Sequence, residues 1–318
     1  MFHVKRSPLE DLEAELRDLE ARSLLRRPAQ VAPGQVVFCS NDYLGLASSP
    51  PAGRAPTGAG ASRLVSGNTD EHADLERELS AWLRVEASLV FTSGYAANVG
   101  ALAALLRPGD RVLSDALNHA SIIDGVRLAR AEVEVYPHLD VAYVARALRA
   151  RPDTRTWVVT ESYFGMDADA PDLRALSEAC SEGGAGFYVD EAHALGVYGP
   201  EGRGRCAEAG VAPDVLVGTL GKALGAGGAF VAGSATLQRW LWNRARSFVF
   251  STGLSPMVAA EAAARVREAR GMDEARARLH ARAAELRRGL RELGCRVVGE
   301  GPVVPWVLGD PRRALDAA

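Results

Sequence analysis

An α/β fold, with a mostly parallel sheet covered by helices on both faces, is predicted by three observations. Short apolar runs alternate with helix-length segments through the middle of the chain, the pattern of successive βαβ units. Asp190 and Lys222, two residues suited to chemistry, stand just after two of those runs, where ligands bind in such sheets. The 318 residues, 47% of them hydrophobic, are enough for one large domain with a smaller one appended.

The first element is an amphipathic helix. Leu9, Leu12, Leu16 and Leu19 recur at three- and four-residue steps among acids and arginines, and the pattern ends near Arg27-Pro28. A Gly/Pro-rich stretch follows at 48–60. Strands are predicted at 88–92, 111–114, 133–136, 157–160, 187–189, 215–217 and 229–232, with helices at 97–106, 119–130, 141–150 and 172–182. From about residue 255 a long Ala/Arg/Glu helical pattern begins, followed by strand-like segments at 297–298 and 303–308. A further helical pattern has barely started when the chain reaches Ala318.

A net charge of -3 indicates neither a nucleic-acid footprint nor a polybasic membrane segment, so small molecules or protein are the expected partners. Cys39, Cys180, Cys206 and Cys295 are far apart with no CxxC pair, which argues against a zinc site or disulfide framework and for a cytoplasmic setting. No apolar run approaches the length of a membrane span, so no anchor is expected.

Of 37 lysine and arginine residues only Lys5 and Lys222 are lysines, and the second lies in the Gly-rich stretch Thr219-Leu220-Gly221-Lys222-Ala223-Leu224-Gly225-Ala226-Gly227-Gly228. A desolvated lysine can become a neutral amine and attack a carbonyl, which an arginine cannot. Lys222 is therefore the candidate nucleophile, whereas Lys5, beside Arg6, suits a charged surface.

Asp190-Glu191-Ala192-His193 follows the apolar run Gly186-Phe187-Tyr188-Val189. A nucleoside-triphosphatase would need GxxxxGK[ST], and the lone Gly221-Lys222 is followed by Ala223 and comes after the acidic tetrapeptide, so that reading fails. Pyridoxal phosphate (PLP) chemistry instead needs an aspartate for the ring nitrogen and a lysine for the aldehyde, and Asp190 and Lys222 supply both. Asp190 could also be a simple helix cap. Thr92-Ser93-Gly94-Tyr95 joins a strand to a helix, where free N–H groups meet an anion, although Tyr95 could equally be a core aromatic. Thr219 is close enough to Lys222 to reach the same phosphate. His119 could lie flat on an aromatic ring or cap its helix.

These residues match a family. Ser40-Asn41-Asp42-Tyr43-Leu44-Gly45-Leu46, Gly58-Ala59-Gly60-Ala61-Ser62-Arg63-Leu64-Val65-Ser66-Gly67, Asn118-His119-Ala120-Ser121, the Asp190 tetrapeptide and Thr219-Leu220-Gly221-Lys222 together resemble the α-oxoamine synthases. Those are PLP enzymes of the aspartate-aminotransferase fold (fold type I), and the second motif is most similar to their biotin-pathway branch. The resemblance implies Lys222 as the Schiff-base lysine, Asp190 as the partner of the pyridine nitrogen, and His193 on the ring's phenolic oxygen. It implies His119 stacked on one ring face, Ala192 against the other, and backbone of Gly94 and Tyr95 with the Thr219 hydroxyl on the phosphate. Thr252 resembles a residue that reaches the phosphate of the neighbouring subunit, which implies a homodimer with shared active sites. Asn41 should lie near the amino-acid substrate and Arg26 near the acyl substrate.

The expected activity is condensation of L-alanine with a pimeloyl thioester, on coenzyme A or an acyl carrier protein, to give 8-amino-7-oxononanoate, carbon dioxide and free thiol. A sibling synthase using glycine or serine, or a catalytically silent dimer partner, is the alternative. The expected division is an N-terminal helix and arm at 1–40, a large PLP-binding domain at 41–270 and an incomplete small C-terminal α+β domain at 271–318.

Three departures from the family stand out. Gly165, in Tyr163-Phe164-Gly165-Met166-Asp167, replaces a cofactor-contacting serine, so one polar contact is expected to be missing. The segment 50–57 looks shorter. The chain stops where the family continues into the part that carries a carboxylate-gripping arginine, so either a fragment or a truncated relative is expected.

Overall fold

β1 (Ala87–Phe91), β2 (Arg111–Asp115), β3 (Glu132–Tyr136), β4 (Thr156–Glu161), β5 (Gly186–Asp190), β6 (Val215–Thr219) and β7 (Ala229–Gly233) form one sheet in the order β1-β7-β6-β5-β4-β2-β3. The computed structural model describes residues 8–28, 31–32, 34–51 and 53–317; Lys5 lies outside them. β7 runs antiparallel to both its neighbours, and every other pairing is parallel. All seven strands stand where the sequence places them, within two residues.

The helices are α1 (Pro8–Ala21), α2 (Asp70–Leu83), α3 (Gly94–Leu105), α4 (Ala120–Ala129), α5 (Val141–Ala150), α6 (Leu173–Gly183), α7 (Arg205–Ala209), α8 (Ala235–Arg244), α9 (Arg246–Val249), α10 (Pro256–Arg270), α11 (Asp273–Glu292) and α12 (Pro311–Ala317). Among the described residues none is long and apolar enough to cross a membrane.

Alternate residues of each strand feed opposite faces, as the two-residue period requires. Leu89, Val112, Val159, Tyr188, Val217 and Val231 pack with Ala97, Leu102, Ile122 and Val126 of α3 and α4. On the other face Val90, Leu216 and Phe230 meet Leu75, Leu79 and Trp82 of α2 and Ala262 and Val266 of α10. Leu113, Val158, Phe187 and Val189 meet Val144 and Leu148 of α5 and Leu176 of α6. Both faces are dry over the inner strands, which explains their continuous apolar runs, whereas the edge strand β3 buries only Tyr136.

Four sequence expectations need correction. α1 ends at Ala21 rather than near Arg27-Pro28, because Ser23 takes a left-handed backbone (φ 57°) and Leu24 N–H reaches back to Leu19 O, closing the helix. The helix predicted from residue 97 starts at Gly94, where the Ser93 side chain accepts from Ala96 N–H. The long pattern after residue 255 is two helices, broken at Gly271-Met272. The segments 297–298 and 303–308 make a single bridge, Val297 to Trp306, instead of strands. Gly299 (φ +66°) and Gly301 (φ +78°) turn the chain there, and Pro302 and Pro305 have no N–H for a ladder.

Candidate active site

The carboxyl ends of β4, β5 and β6 place the chemistry. β4 and β5 pair in parallel register with Glu161 opposite Asp190, so two carboxyls finish neighbouring strands side by side. β6 and β7 are antiparallel neighbours, and the Gly-rich segment between them is the turn that carries Lys222. Gly225 (φ +60°) packs against backbone of Leu46 and Ala47, and its N–H donates to Lys222 O at 2.9 Å, which fixes the turn.

Asp190 is 5% exposed, so its charge must be satisfied locally. Its Oδ2 accepts from Asn98 Nδ2 at 2.7 Å and its Oδ1 from Ala192 N–H at 2.8 Å. Asn98, on α3, is itself held by the Tyr188 hydroxyl at 2.7 Å. The aspartate is not a helix cap.

Lys222 Nζ lies 2.7 Å from His193 Nε2, and His193 Nδ1 lies 2.9 Å from the Tyr43 hydroxyl. Tyr43 in turn donates to Asn41 Oδ1 at 3.2 Å. Burial lowers the Lys222 pKa, opposed by the charges of Asp190 and Glu161. Burial, then the charges of Lys222 and His119, push His193 down to about 3, so its imidazole is neutral near pH 7. Burial and the neighbouring Asp190 push Glu161 up to about 8, against a hydrogen bond from His119 N–H, so Glu161 keeps its proton at neutral pH.

His119 does cap its helix, accepting from Ser121 N–H, with Nδ1 2.7 Å from the Ser121 hydroxyl. Its ring also lines the same cavity as Lys222. That cavity, about 860 Å³, is lined by Asn41, Tyr43, His119, Glu161, His193 and Lys222, by apolar Val37, Phe38, Leu279, Leu286 and Val303, and by charged Asp167 and Arg282 among others. A second cavity of about 600 Å³, near Arg107, Trp157 and Trp240, opens at the opposite edge of the sheet, away from these groups.

The remaining sequence candidates stand apart from the cavity wall. Gly94 and Tyr95 open α3 after β1, and Tyr95 donates to Asp124 Oδ2 at 2.6 Å, so it is not a core aromatic. Thr219 ends β6, with its Oγ1 donating to Gly228 O and accepting from Gly221 N–H, both at 3.3 Å. β1 and β6 point the same way, so these residues occupy the same sheet edge as Asp190. Thr252 is exposed and shares a small cleft with Thr92 rather than the Lys222 cavity. Arg26 is exposed beyond α1 and does not line the cavity.

Sequence reasoning missed Glu161, Asn98 and the contact role of Tyr43. Glu161 had a readable signal, since it ends a strand as Asp190 does. The Arg63 motif, read as a fingerprint, is built into the packing: Arg63 is 5% exposed, bonds Glu76 at 2.5 and 3.1 Å and Asn68 at 2.7 and 2.9 Å, and stacks on Trp242.

The donor set fits pyridoxal phosphate. A buried amine of lowered pKa faces a cavity, a fixed carboxylate sits at the adjoining strand end, and the α3 N-terminus supplies backbone N–H groups for an anion.

Comparison with known proteins agrees. Residues 33–318 match the family described as aminotransferase class I and II. The 8-amino-7-oxononanoate synthase of Anaeromyxobacter dehalogenans (strain 2CP-1) is 45% identical over 337 aligned positions, covering 99% of this chain and 85% of that protein. Among solved structures, a variant serine palmitoyltransferase from S. paucimobilis with a bound PLP–myriocin adduct superposes with TM-score 0.87 at 28% identity, covering 97% of this chain and 88% of its own. The 8-amino-7-oxononanoate synthase of Francisella tularensis gives TM-score 0.69 at 26% identity, covering 81% and 76%. The chain therefore belongs to the aminotransferase class I and II family, as a PLP-dependent member of the α-oxoamine synthases.

Proposed function

We propose that this protein condenses L-alanine with a pimeloyl thioester, borne by coenzyme A or an acyl carrier protein, releasing carbon dioxide and thiol to give 8-amino-7-oxononanoate. The observation that carries the proposal is the Lys222 amine, its pKa lowered by burial, on a cavity that Val37, Phe38, Leu279, Leu286 and Val303 also line. An amino acid needs the amine, and a pimeloyl chain suits the apolar lining residues.

Lys222, Asp190, His193 and His119 would hold the cofactor, with the Gly94 and Tyr95 backbone, Thr219 and, across a dimer, Thr252 on its phosphate. When bound, PLP supplies an electron sink for the carbanion at the amino acid's Cα. Lys222 would hold the cofactor's aldehyde carbon and, as the free amine, would serve as the base that takes the Cα proton, a role its lowered pKa suits. Asp190, clamped by Asn98 and Ala192, keeps the pyridine nitrogen protonated. Glu161, neutral beside it, adds no second negative charge to compete for that proton. Asn41 lies at the cavity wall where the amino acid would sit. Arg26 approaches the acyl substrate only if a second subunit brings it there.

A homodimer acting in the cytoplasm is part of the proposal. Leu12, Leu16 and Leu19 of α1, with Val36 and Phe38 after it, leave an apolar strip exposed on the single chain, as a subunit contact would use. The division at 1–40, 41–270 and 271–318 is likewise proposed, with its second boundary near the break between α10 and α11.

Substrate profiling tests the reading. Purified protein with PLP is offered alanine, glycine or serine against pimeloyl, acetyl, succinyl and palmitoyl thioesters, and products are identified by mass. Alanine with pimeloyl thioester should be preferred; preference for glycine or serine with another acyl group would assign a sibling reaction.

A further inference from the structure

We propose that His138 is a positioning residue: as an imidazolium it ties the loop after β4 to the end of β2, holding the stretch 164–167 of the cavity wall, and it releases that loop on the Asp169 side when the ring loses its proton. The inference takes the Lys222 cavity as the site, as the proposed function does, but assumes no substrate. His138 follows β3 and stands behind the cavity lining rather than in it. Its Nδ1 lies 2.7 Å from Asp115 Oδ1, and its Nε2 lies 3.2 Å from both carboxylate oxygens of Asp169. With an acid on each ring nitrogen, both nitrogens must donate, which only the cation can do.

The ring joins two segments of the wall. Asp115, the last residue of β2, also accepts from Leu117 N–H at 2.9 Å and from Leu139 N–H at 3.0 Å, and Leu117 and His119 beyond it line the cavity. On the other arm Phe164 N–H donates to Asp169 O at 2.9 Å, closing a turn that brings Phe164, Gly165, Met166 and Asp167 to the cavity. The Phe164 ring meets the His138 ring edge-on, with 4.5 Å between centres. Leu139 (φ 61°) and Ala168 (φ 57°) hold left-handed backbone, which residues other than glycine keep only where neighbours fix it.

Burial works against a charged ring, but the two carboxylates outweigh it and raise the His138 pKa above its ordinary 6.5. The contribution of the imidazolium is therefore complete below 6.5 and is lost as pH rises through the raised value. The charged groups facing the ring are Asp115 from β2 and Asp169 from the loop, while Glu161 on β4 and Tyr136 on β3 feel Asp115 in turn. A neutral ring keeps one N–H. The Asp115 side chain, 0% exposed, has no water to replace that donor, whereas Asp169, 32% exposed, does, so the remaining N–H stays on Asp115. Nε2 then presents a lone pair to a carboxylate, and the loop loses its tie.

The test reads the loop directly. Full-length protein with PLP is followed by hydrogen–deuterium exchange and mass spectrometry from about pH 6 to about pH 9, with rates divided by those of an unstructured chain at each pH. Protection of the peptide over 163–169 should fall about tenfold or more as pH rises, as loss of one charge-assisted hydrogen bond implies, while the β5 peptide keeps its own. His138→Gln should show the low protection at every pH without a step. Asp169→Asn should do the same and, changing a partly exposed carboxyl, serves if His138→Gln fails to fold. Protection over 163–169 that is flat or rises in wild type overturns the proposal. So does a step that persists in His138→Gln, which would assign it to Glu161, whose pKa is raised to about 8.

Discussion

Asn98 on α3 donates to the Asp190 carboxylate on β5 at 2.7 Å, across 92 positions of sequence and with both side chains almost fully buried. The helix thereby aims the acid proposed to serve the cofactor. Asn98→Ala leaves Asp190 with one donor and the Tyr188 hydroxyl without its acceptor, a loss of about 1–3 kcal/mol. Urea unfolding should show that loss, and dialysis should show faster escape of PLP. Wild-type values for both would remove Asn98 from the site.

Asp190→Asn separates binding from electronics. The variant should still retain PLP through Lys222 and the phosphate contacts, but exchange of the alanine Cα proton with deuterated solvent should fall about a hundredfold or more, as loss of a charged partner in the transition state implies. Exchange followed by NMR at the wild-type rate would contradict the assignment.

Glu161 predicts a pH effect on stability. Its carboxyl has its pKa raised from 4.5 to about 8 in the fold, so the folded state binds more protons than the unfolded chain between those values. The stabilisation tied to its proton is complete below pH 4.5 and is lost as pH rises through about 8. Wild type should therefore lose melting temperature between pH 5 and 8.5 in a way that Glu161→Gln does not, as measured by calorimetry without cofactor. Parallel curves for the two proteins would sink this.

Arg63→Ala tests whether the 58–67 motif is structural. Removing a buried cation that bonds Glu76 and Asn68 leaves a carboxylate unpaired and should destabilise by about 3–5 kcal/mol. A loss under about 1 kcal/mol would mean the motif is kept for contact with a ligand or subunit instead.

The sheet was legible because alternate residues of its inner strands, such as Val158 and Val159, serve opposite dry faces and make short apolar runs, while the edge strand β3 alternates Glu and Val. Asp190 and Lys222 were legible because both stand immediately beyond strands. Glu161 was readable as a strand-end acid like Asp190, but its weight comes from lying opposite Asp190 in parallel register, a pairing no local window contains. Asn98 was hidden likewise: in a helix of small apolar residues only the tertiary contact marks it. α2 escaped notice although Leu75, Leu79 and Trp82 recur at helical spacing, and its capping box joins Thr69 to His72. The 297–308 segment was misread because apolar β-branched residues outweighed the glycines and prolines among them.

The most direct measurement of the central claim is the site of covalent attachment. Protein incubated with PLP and reduced with borohydride should carry one pyridoxyl phosphate group on the peptide containing Lys222 and none on that containing Lys5, and Lys222→Ala should carry none. Label on Lys5 alone, or equal labelling of Lys222→Ala, would contradict the account.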